Sequence, residues 1–230
     1  MKNQNIVICG KKQSGKTSVF NYLQTRNLND YYFGNLADDL KILLSIEFRH
    51  YAEKECFYGT DADKNKGLLL SNRDVRDAFK SIINSSNFIS YIKLFDSEPL
   101  NPFSSIDYYT DDISRLIDDV VIKNKEVWTA RKLMQCFGTD IMCAAFPNYW
   151  IYRFIVNYIR SGKKYYVVGD CRQQHEFDYF SSMGCNLIRI KRPDTDDDKP
   201  HPTENIIGDV NIVINNSSKE ELFKKVEELL

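Results

Sequence analysis

The octapeptide from Gly10 to Thr17, GKKQSGKT, constrains this chain more than any other stretch. It has a glycine, four variable residues and then Gly-Lys-Thr, which is the spacing of a phosphate-binding loop, or P-loop. The apolar run Asn5–Cys9 before it predicts a buried strand, and the residues after it predict the start of a helix. In that setting successive backbone N–H groups form a nest for an anion at the helix N-terminus. The stretch therefore predicts binding of a phosphorylated ligand.

The polar positions of the loop predict contacts with a nucleoside triphosphate and a metal ion. We expect the Lys16 ammonium to reach the β- and γ-phosphates and the Thr17 hydroxyl to bind Mg²⁺. The residues expected to bind ATP are Gly10, Lys12, Gln13, Ser14, Gly15, Lys16 and Thr17. The alternative, a glycine turn followed by an unrelated lysine, requires the strand and helix context to arise by chance.

Composition excludes several other classes of protein. The 230 residues are 43% hydrophobic, which is enough for the core of one α/β domain. The 31 basic and 32 acidic residues give a net charge of −1, so we expect no general affinity for nucleic acid. We find no apolar run long enough to span a membrane and no signal peptide, and we expect a cytoplasmic protein. The six cysteines form no C-x-x-C pair and are expected to be buried thiols.

Strand and helix signals alternate, which predicts an α/β fold with a parallel sheet covered by helices on both faces. Further strands are predicted at 31–36, 164–168, 186–190 and 210–214, and 87–95 can form another. Helices are predicted over 36–52, 73–84 with a Ser71 cap, 111–122 with a Thr110 cap, 130–137 between Thr129 and Gly138, 148–160 ended by Gly162, and 219–230 with a Ser218 cap. Residues 56–71 are expected to be an exposed connection, 97–105 a loop, and 192–205 a mobile loop.

A second informative segment is YYVVGDCRQQHE, residues 165–176. An apolar strand that ends in Asp170 predicts a second protein contact to the Mg²⁺ ion, direct or through water. The site of an open parallel sheet lies at the carboxyl ends of its strands, so Asp170 is expected at the same edge as Gly10–Thr17. If a helix starts here, Arg172 and Glu176 share a face, so that Arg172 can hold a substrate phosphate while Glu176 orients the guanidinium or binds a sugar hydroxyl. The alternatives are a turn or cap role for Asp170 and a surface ion pair for the other two.

Other side chains could complete a phosphate site. Arg131 and Gln135 lie four residues apart just before Gly138-Thr139-Asp140, and a cation and an amide on one face can hold a phosphate and a base edge. Solvated helix positions explain these two residues equally well. Trp150, taken alone, is more typical of a core than of a ligand contact. Arg192 opens the polar loop 192–205, which can close over transferring phosphates.

Missing motifs narrow the class of phosphate-binding protein. A regulatory GTPase needs a D-x-x-G and an N-K-x-D, but Asp170 is followed by Cys-Arg-Gln, and Asn124-Lys125 by Glu-Val. Motor and AAA-type ATPases are normally larger and carry further arginine sensors. A compact loop domain with D-x-R and a basic lid fits a small-molecule kinase best.

The chain resembles the deoxynucleoside monophosphate kinases of large phages and related viruses. The likeness is carried by GKKQSGKT, by ARKLMQCFGTD, by YYVVGDCRQQHE and by the order of KRP, HPTE, VINN and the terminal helix. It is close over 126–230, loose over 1–85 and poor over 87–125. The small phosphomevalonate kinases share the loop and D-x-R but lack the R-x-L-M-Q-x-x-G-T-D element. A kinase of that type, for another small phosphorylated acceptor, and a non-enzymatic nucleotide-binding module are the alternatives.

The resemblance implies Mg²⁺-dependent transfer from ATP to a deoxynucleoside monophosphate (dNMP), with ATP and the dNMP as the partners. For this reaction we expect catalytic roles for Lys16, Asp170, Arg172 and Arg131, and an ATP contact at Arg192. The implied substrate contacts are Arg131, Gly138, Thr139, Trp150, Asp170, Arg172 and Glu176, and we expect Lys64 and Gln135 to contact the substrate as well. A family lysine corresponds to Ala37 here and a family arginine to Lys64, so the monophosphate contacts and base preference are where this chain departs from the family pattern.

The resemblance also predicts how the chain is organised. We expect a single P-loop kinase domain with its core in residues 1–30 and 126–230, a helical acceptor-binding region at about 31–125, and a lid at about 192–205. Family members can be homodimers. A viral member would act in the cytoplasm of an infected host cell.

Overall fold

The structure is a computed structural model that describes residues 4–11, 13–26, 28–95, 106–193, 208, 210–215 and 218–230. Lys12, the predicted loop at 97–105 and all of the predicted lid beyond residue 193 lie outside the described residues.

The chain forms two compact units. The sheet unit contains residues 1–36 and 154–230, and the helical unit contains residues 37–153. Residues 126–153 therefore group with 37–125, whereas the sequence prediction placed them with the core. That these units correspond to nucleotide-binding and acceptor-binding regions stays a prediction.

Five parallel strands make up the sheet, and this confirms the predicted α/β fold, which is consistent with a P-loop kinase. They are β1 Ile6–Cys9, β2 Tyr31–Gly34, β3 Tyr165–Cys171, β4 Asn186–Lys191 and β5 Asn211–Ile214, in the order β2-β3-β1-β4-β5. All four residues of β1 are buried, as expected for a central parallel strand covered on both faces. Ile6, Ile8 and Val167 pack with Val19 and Leu222 in the core of the sheet unit.

Three helices follow strands within the sheet unit, and most of the others belong to the helical unit. Those of the sheet unit are α1 Lys16–Thr25, α10 Gln174–Ser182 and α11 Lys219–Glu227. Those of the helical unit are α2 Asp38–Glu47, α3 Glu55–Tyr58, α4 Asp61–Asn65, α5 Asn72–Asn84, α6 Ser86–Phe95, α7 Ile106–Lys123, α8 Ala130–Met134 and a π-helix over Gln135–Cys143. The division between the units falls within α9 Tyr149–Ser161.

Predicted helix ends are confirmed where a polar side chain can cap the backbone locally. The side chains of Ser71, Thr129 and Ser218 accept hydrogen bonds from the N–H groups of residues three positions later. Gly162 follows α9 with a φ of 66°, a conformation that favours glycine at a helix end.

The strand prediction for 87–95 is wrong, because this segment is helix α6. Its aromatic and β-branched residues suit a strand, but Phe88, Tyr91 and Ile92 are buried at helical spacing. The side-chain oxygen of Ser85 accepts from the N–H of Phe88 and caps the helix.

Two more predictions are wrong in the helical unit. Residues 56–71 are not simply an exposed connection, because they contain α3 and α4 and bury Cys56, Phe57 and Leu68. Helix α7 begins at Ile106, so Thr110 lies inside it and does not cap it.

Gly138 does not end a helix as predicted, because α8 continues into the π-helix through this position. A Cβ on Gly138 would lie 2.5 Å from Cδ2 of Leu40 on α2, so the residue permits a close contact between helices. The glycine at position 138, which suggested a helix end in the sequence, is therefore explained by the close packing of two helices.

All six cysteines are free thiols; five are buried, as predicted, and Cys143 is half-buried. None of the helices within the described residues has the length and apolar character needed to cross a membrane.

Candidate active site

The loop from Gly10 to Thr17 joins the end of β1 to the start of α1. Its φ angles are 141° at Gly10, 62° at Gln13 and 110° at Gly15, and Gln13 is the sole non-glycine residue with a positive φ among the described residues. Such conformations cost of order 1–3 kcal/mol for a residue with a side chain and cluster at active sites and ligand-binding loops. This alternation of left- and right-handed residues before a helix is typical of an anion nest.

Neighbouring strands hold this loop tightly. A Cβ on Gly10 would clash with the carbonyl oxygen of Ile190 on β4, and one on Gly15 would lie 2.7 Å from Nδ2 of Asn215. Asn215 donates from Nδ2 to the carbonyl oxygen of Ser14 at 2.8 Å. Sequence reasoning missed Asn215 as a loop-positioning residue, although its place directly after β5 at the carboxyl edge of the sheet was an available signal.

The Lys16 side chain is only 6% exposed and folds back over the loop. Its Nζ donates to the carbonyl oxygens of Gly10 and Lys11. The carbonyl oxygens of the loop therefore accept the hydrogen bonds of a buried ammonium group at the centre of the loop. The sequence predicts that this ammonium group contacts a phosphate. Thr17 is exposed in the first turn of α1.

Asp170 lies next to this loop, because β3 pairs with β1. Cys9 is opposite Cys171, whereas Val7 is opposite Val168, so β3 contains one more residue than β1 between these pairs. This bulge is formed at Gly169 and Asp170, and bulges commonly redirect a side chain beside an active site. The prediction that Asp170 lies at the edge of the sheet near Gly10 is confirmed, but Asp170 is within the strand and forms neither a turn nor a helix cap.

The Asp170 carboxylate is held by the chain after β2. Its Oδ1 accepts a hydrogen bond from the N–H of Leu36 at 2.7 Å. The adjacent Gly169 has no room for a side chain, because a Cβ would lie 2.5 Å from both Oδ1 of Asn35 and Cδ2 of Phe20. The orientation of Asp170 therefore depends on contacts that no local sequence pattern specifies.

Glu176 has a different partner from the one predicted. Helix α10 begins at Gln174, so Arg172 precedes it, and Oε2 of Glu176 accepts from the main-chain N–H groups of Arg172 and Gln173 at 2.7 and 2.9 Å. Glu176 is 6% exposed, which rules out a surface ion pair. Burial raises the pKa of Glu176 to about 7 even though two N–H groups stabilise the carboxylate.

The Arg172 side chain is exposed. Within the described parts of the chain, its guanidinium makes no ion pair. The carboxylate of Glu176 binds the main-chain N–H of Arg172 and not the guanidinium. Arg192 is also exposed and follows β4 directly. Because Arg172 directly follows β3 and Arg192 directly follows β4, both lie at the carboxyl edge of the parallel sheet, where the loop follows β1. Their contacts with substrates stay predictions.

Arg131 in the helical unit is held by α4. Its Nε donates to Oδ1 of Asn65 at 2.9 Å, and its Nη2 donates to Oδ1 of Asp61 at 2.5 Å. Lys64 is on the same short helix. Sequence reasoning named Arg131 and Lys64 separately and missed Asp61 and Asn65, whose i, i+4 spacing was the available signal.

The π-helix carries Gln135, Gly138 and Thr139. Gln135 is exposed and Thr139 half-buried, while Gly138 is buried. Trp150 is 5% exposed and its Nε1 donates to the carbonyl oxygen of Gly138 at 3.0 Å. Trp150 therefore has a packing role in the helical unit, and its direct contact with a substrate stays a prediction. π-Turns often mark functional segments.

A buried ion pair in the helical unit was also missed. Arg153 is 5% exposed, its Nε donates to Oδ2 of Asp39 at 2.6 Å, and its Nη1 donates to the Tyr149 hydroxyl at 3.0 Å. Its guanidinium lies 3.9 Å from the ring centroid of Tyr91. Burial raises the pKa of Tyr149 to about 12, so its hydroxyl stays protonated near neutral pH. These contacts fix the start of α9, where Trp150 lies.

Thr17 and Asp170 are chemically suited to Mg²⁺, which prefers oxygen ligands such as a hydroxyl and a carboxylate. In the part of the chain that the structure describes, no three His, Cys, Asp or Glu side chains cluster as a metal cage. Mg²⁺ in phosphotransferases is typically held by one or two protein oxygens together with phosphates and water, so this arrangement fits the ion.

Three features together define a class of protein, the P-loop phosphotransferases. They are a nest-forming loop between β1 and α1, a cation at the centre of that loop, and an aspartate on the neighbouring parallel strand. Comparison with known proteins identifies the family. A sequence model described as deoxynucleotide monophosphate kinase matches residues 4–226, so the chain belongs to that family.

Two phage proteins of that description are similar to this chain over nearly its whole length. The deoxynucleotide monophosphate kinase of Enterobacteria phage T4 is 28% identical, with 98% of each chain covered. The protein of the same name from Escherichia phage RB69 is 29% identical, again with 98% of each chain covered. The resemblance inferred from the sequence motifs is thereby confirmed.

Proposed function

We propose that this protein transfers the γ-phosphoryl group of ATP to the phosphate of a deoxynucleoside monophosphate, giving ADP and the deoxynucleoside diphosphate. The observation that carries the proposal is the loop Gly10–Thr17, folded as an anion nest beside Asp170 in a chain that belongs to the deoxynucleotide monophosphate kinase family.

The triphosphate of ATP is bound by the loop in this proposal. The backbone N–H groups of the loop and the N-terminus of α1 stabilise its negative charge. Lys16 then moves its ammonium from the carbonyl oxygens of the loop to the phosphates. Arg192 adds a cation at the same edge of the sheet.

The acceptor phosphate is bound by arginines in this proposal. The exposed Arg172 guanidinium and Arg131 supply bidentate donors, and Lys64 supplies a further cation. Gln135, Gly138 and Thr139 contact the nucleoside, and Glu176 holds the main chain of Arg172 in place. Trp150 holds Gly138 in position, because its indole N–H donates to the carbonyl oxygen of Gly138.

The transfer itself requires charge stabilisation more than proton chemistry. An oxygen of the acceptor phosphate forms a bond to the γ-phosphorus while the bond from that phosphorus to the bridging oxygen breaks, and ADP leaves with that electron pair. Because the acceptor oxygen is already ionised, no general base is required. Lys16, Arg172 and Arg131 spread positive charge around the transferring group. Mg²⁺, held by Thr17 and Asp170, would supply further neutralisation of the phosphates.

A coupled assay of ADP release with each of the four common dNMPs tests the proposal. We expect at least one dNMP to accelerate ADP release strongly over the rate with ATP alone, and the variant Lys16→Ala serves as the control for contaminating kinases. Failure of all four dNMPs would contradict the proposal. Phosphomevalonate in the same assay tests for another phosphorylated acceptor, and ATP binding without any turnover would indicate a non-enzymatic module.

A further inference from the structure

We infer that Asp61 and Asn65 of α4 are positioning residues that fix one edge of the Arg131 guanidinium and leave its other edge for the acceptor phosphate. The inference rests on the proposed function, because it deepens the proposed role of Arg131. It concerns contacts within the helical unit alone.

The guanidinium of an arginine has two edges that can each make paired hydrogen bonds. One edge presents Nε–H with one N–H of Nη2, and the other presents one N–H of Nη1 with the second N–H of Nη2. In Arg131, Nε bonds to Asn65 and Nη2 bonds to Asp61, so both contacts use the first edge. Among the described residues, none accepts a hydrogen bond from Nη1 of Arg131.

The remaining edge matches the geometry of a phosphate. Phosphate oxygens accept two parallel N–H bonds from one guanidinium edge, which gives orientation as well as energy. Asp61 takes up the edge that this arrangement does not need, so it does not compete with the phosphate for the same hydrogens. The Arg131 side chain is 26% exposed, which is consistent with a guanidinium that is held but not buried.

Helix α4, which carries Asp61 and Asn65, is capped at its start. Thr60 and Asp63 form a reciprocal capping box, in which Oδ2 of Asp63 accepts from the Thr60 N–H at 2.7 Å and from its hydroxyl at 2.6 Å. These bonds hold the pKa of Asp63 below its usual value. The box satisfies backbone N–H groups at the first turn of a five-residue helix, a length that is not stable in isolation.

The two Arg131 ligands lie on one face of α4, because they are four residues apart. Lys64 follows Asp61 by three residues and therefore shares that face. The face that orients Arg131 thus also carries a second cation suited to a phosphate. Holding Arg131 before the acceptor binds reduces the entropy loss that a long side chain would otherwise incur on binding.

The test is steady-state kinetics of Asp61→Ala, Asp61→Asn and Arg131→Ala with the best dNMP. We expect Asp61→Ala to raise KM for the dNMP by about 10-fold, as for loss of a hydrogen bond to a charged group, with KM for ATP within about twofold of wild type. Asp61→Asn should rescue KM, because its Oδ1 can still accept from Nη2. Asp61→Ala should add little to Arg131→Ala, since the two act as a unit.

Asp112→Ala is the matched control. It also removes an aspartate that pairs with an arginine in the helical unit, Arg115, at 3.1 Å, and we expect unchanged constants. Thermal unfolding of each variant separates loss of fold from loss of acceptor binding, because a general loss of fold would not raise KM for the dNMP alone.

The outcomes distinguish the inference from the function on which it rests. If Arg131→Ala raises KM for the dNMP and Asp61→Ala does not, Asp61 has no positioning role and the proposed function stands. A lower KM in Asp61→Ala would mean that the carboxylate competes with the phosphate, which also overturns the inference. If Arg131→Ala leaves KM for every dNMP unchanged, the proposed acceptor site is wrong.

Discussion

Glu176 allows a quantitative test of the candidate site, through the substitution Glu176→Gln. A single oxygen of its side chain, Oε2, accepts both main-chain N–H bonds, from Arg172 and Gln173. The carbonyl oxygen of a glutamine can accept the same two bonds. The substitution therefore removes the ionisable group while it keeps the hydrogen bonds that fix Arg172.

The sign of the effect follows from the pKa shift. Burial raises the pKa of Glu176 from 4.5 to about 7, so the folded protein binds a proton over a pH range in which the unfolded chain has released it. The free energy of unfolding of the wild type therefore falls as the pH rises from about 4.5 through 7, and it levels off above that. A shift of this size corresponds to about 3 kcal/mol in total. In Glu176→Gln this group cannot titrate, so the free energy of unfolding does not fall for this reason as the pH rises.

The assay is urea unfolding of both proteins at several pH values between 5 and 8. We expect the stability of Glu176→Gln relative to wild type to increase with pH, by up to about 3 kcal/mol across the range. Asp178→Asn, which removes an exposed carboxylate from the same helix, is the control, and we expect it to change the stability by no more than about 0.5 kcal/mol. A difference between Glu176→Gln and wild type that stays flat over this range would refute the reasoning about burial.

Three further substitutions test other parts of the site. Lys16→Ala should lower kcat by about 100-fold or more, because it removes the cation at the centre of the loop, and a near-normal rate would disprove the loop assignment. Arg172→Ala should raise KM for the dNMP while stability changes by no more than about 0.5 kcal/mol, since the side chain is exposed; unchanged kinetics would remove it from the site. Gly169→Ala should lower the stability by about 1–3 kcal/mol in thermal unfolding, because its Cβ would lie 2.5 Å from Asn35 and Phe20, and a stability equal to wild type would contradict the crowding seen there.

Much of the sheet unit could be predicted because its signals are local. The loop motif is a run of eight residues, and each flanking element is marked by a short apolar or polar pattern. The placement of Asp170 beside Gly10 also follows from a general rule, because parallel strands share a carboxyl edge. The caps of α5, α8 and α11 follow from side chains that bond to backbone only three residues away.

The errors arose where tertiary packing overrides local preference. Segment 87–95 has strand-like composition, but its apolar residues are buried along one side of a helix. Gly138 has the appearance of a helix end, but it is required by the nearby side chain of Leu40. Glu176 has the spacing of a helical ion pair, but burial directs its carboxylate to the backbone.

The sequence by itself therefore determined the phosphate-binding loop, the parallel α/β fold and the family, because these depend on residues that are close together along the chain. Only the tertiary structure decided how the candidate site is held: Asn215 against the loop, Leu36 on Asp170, and Asp61 with Asn65 on Arg131. These partners are between 66 and 201 residues apart along the chain. Over such separations a contact depends on the packing of whole helices and strands, so a local pattern can mark a residue such as Asn215 or Asp61 but does not identify its partner.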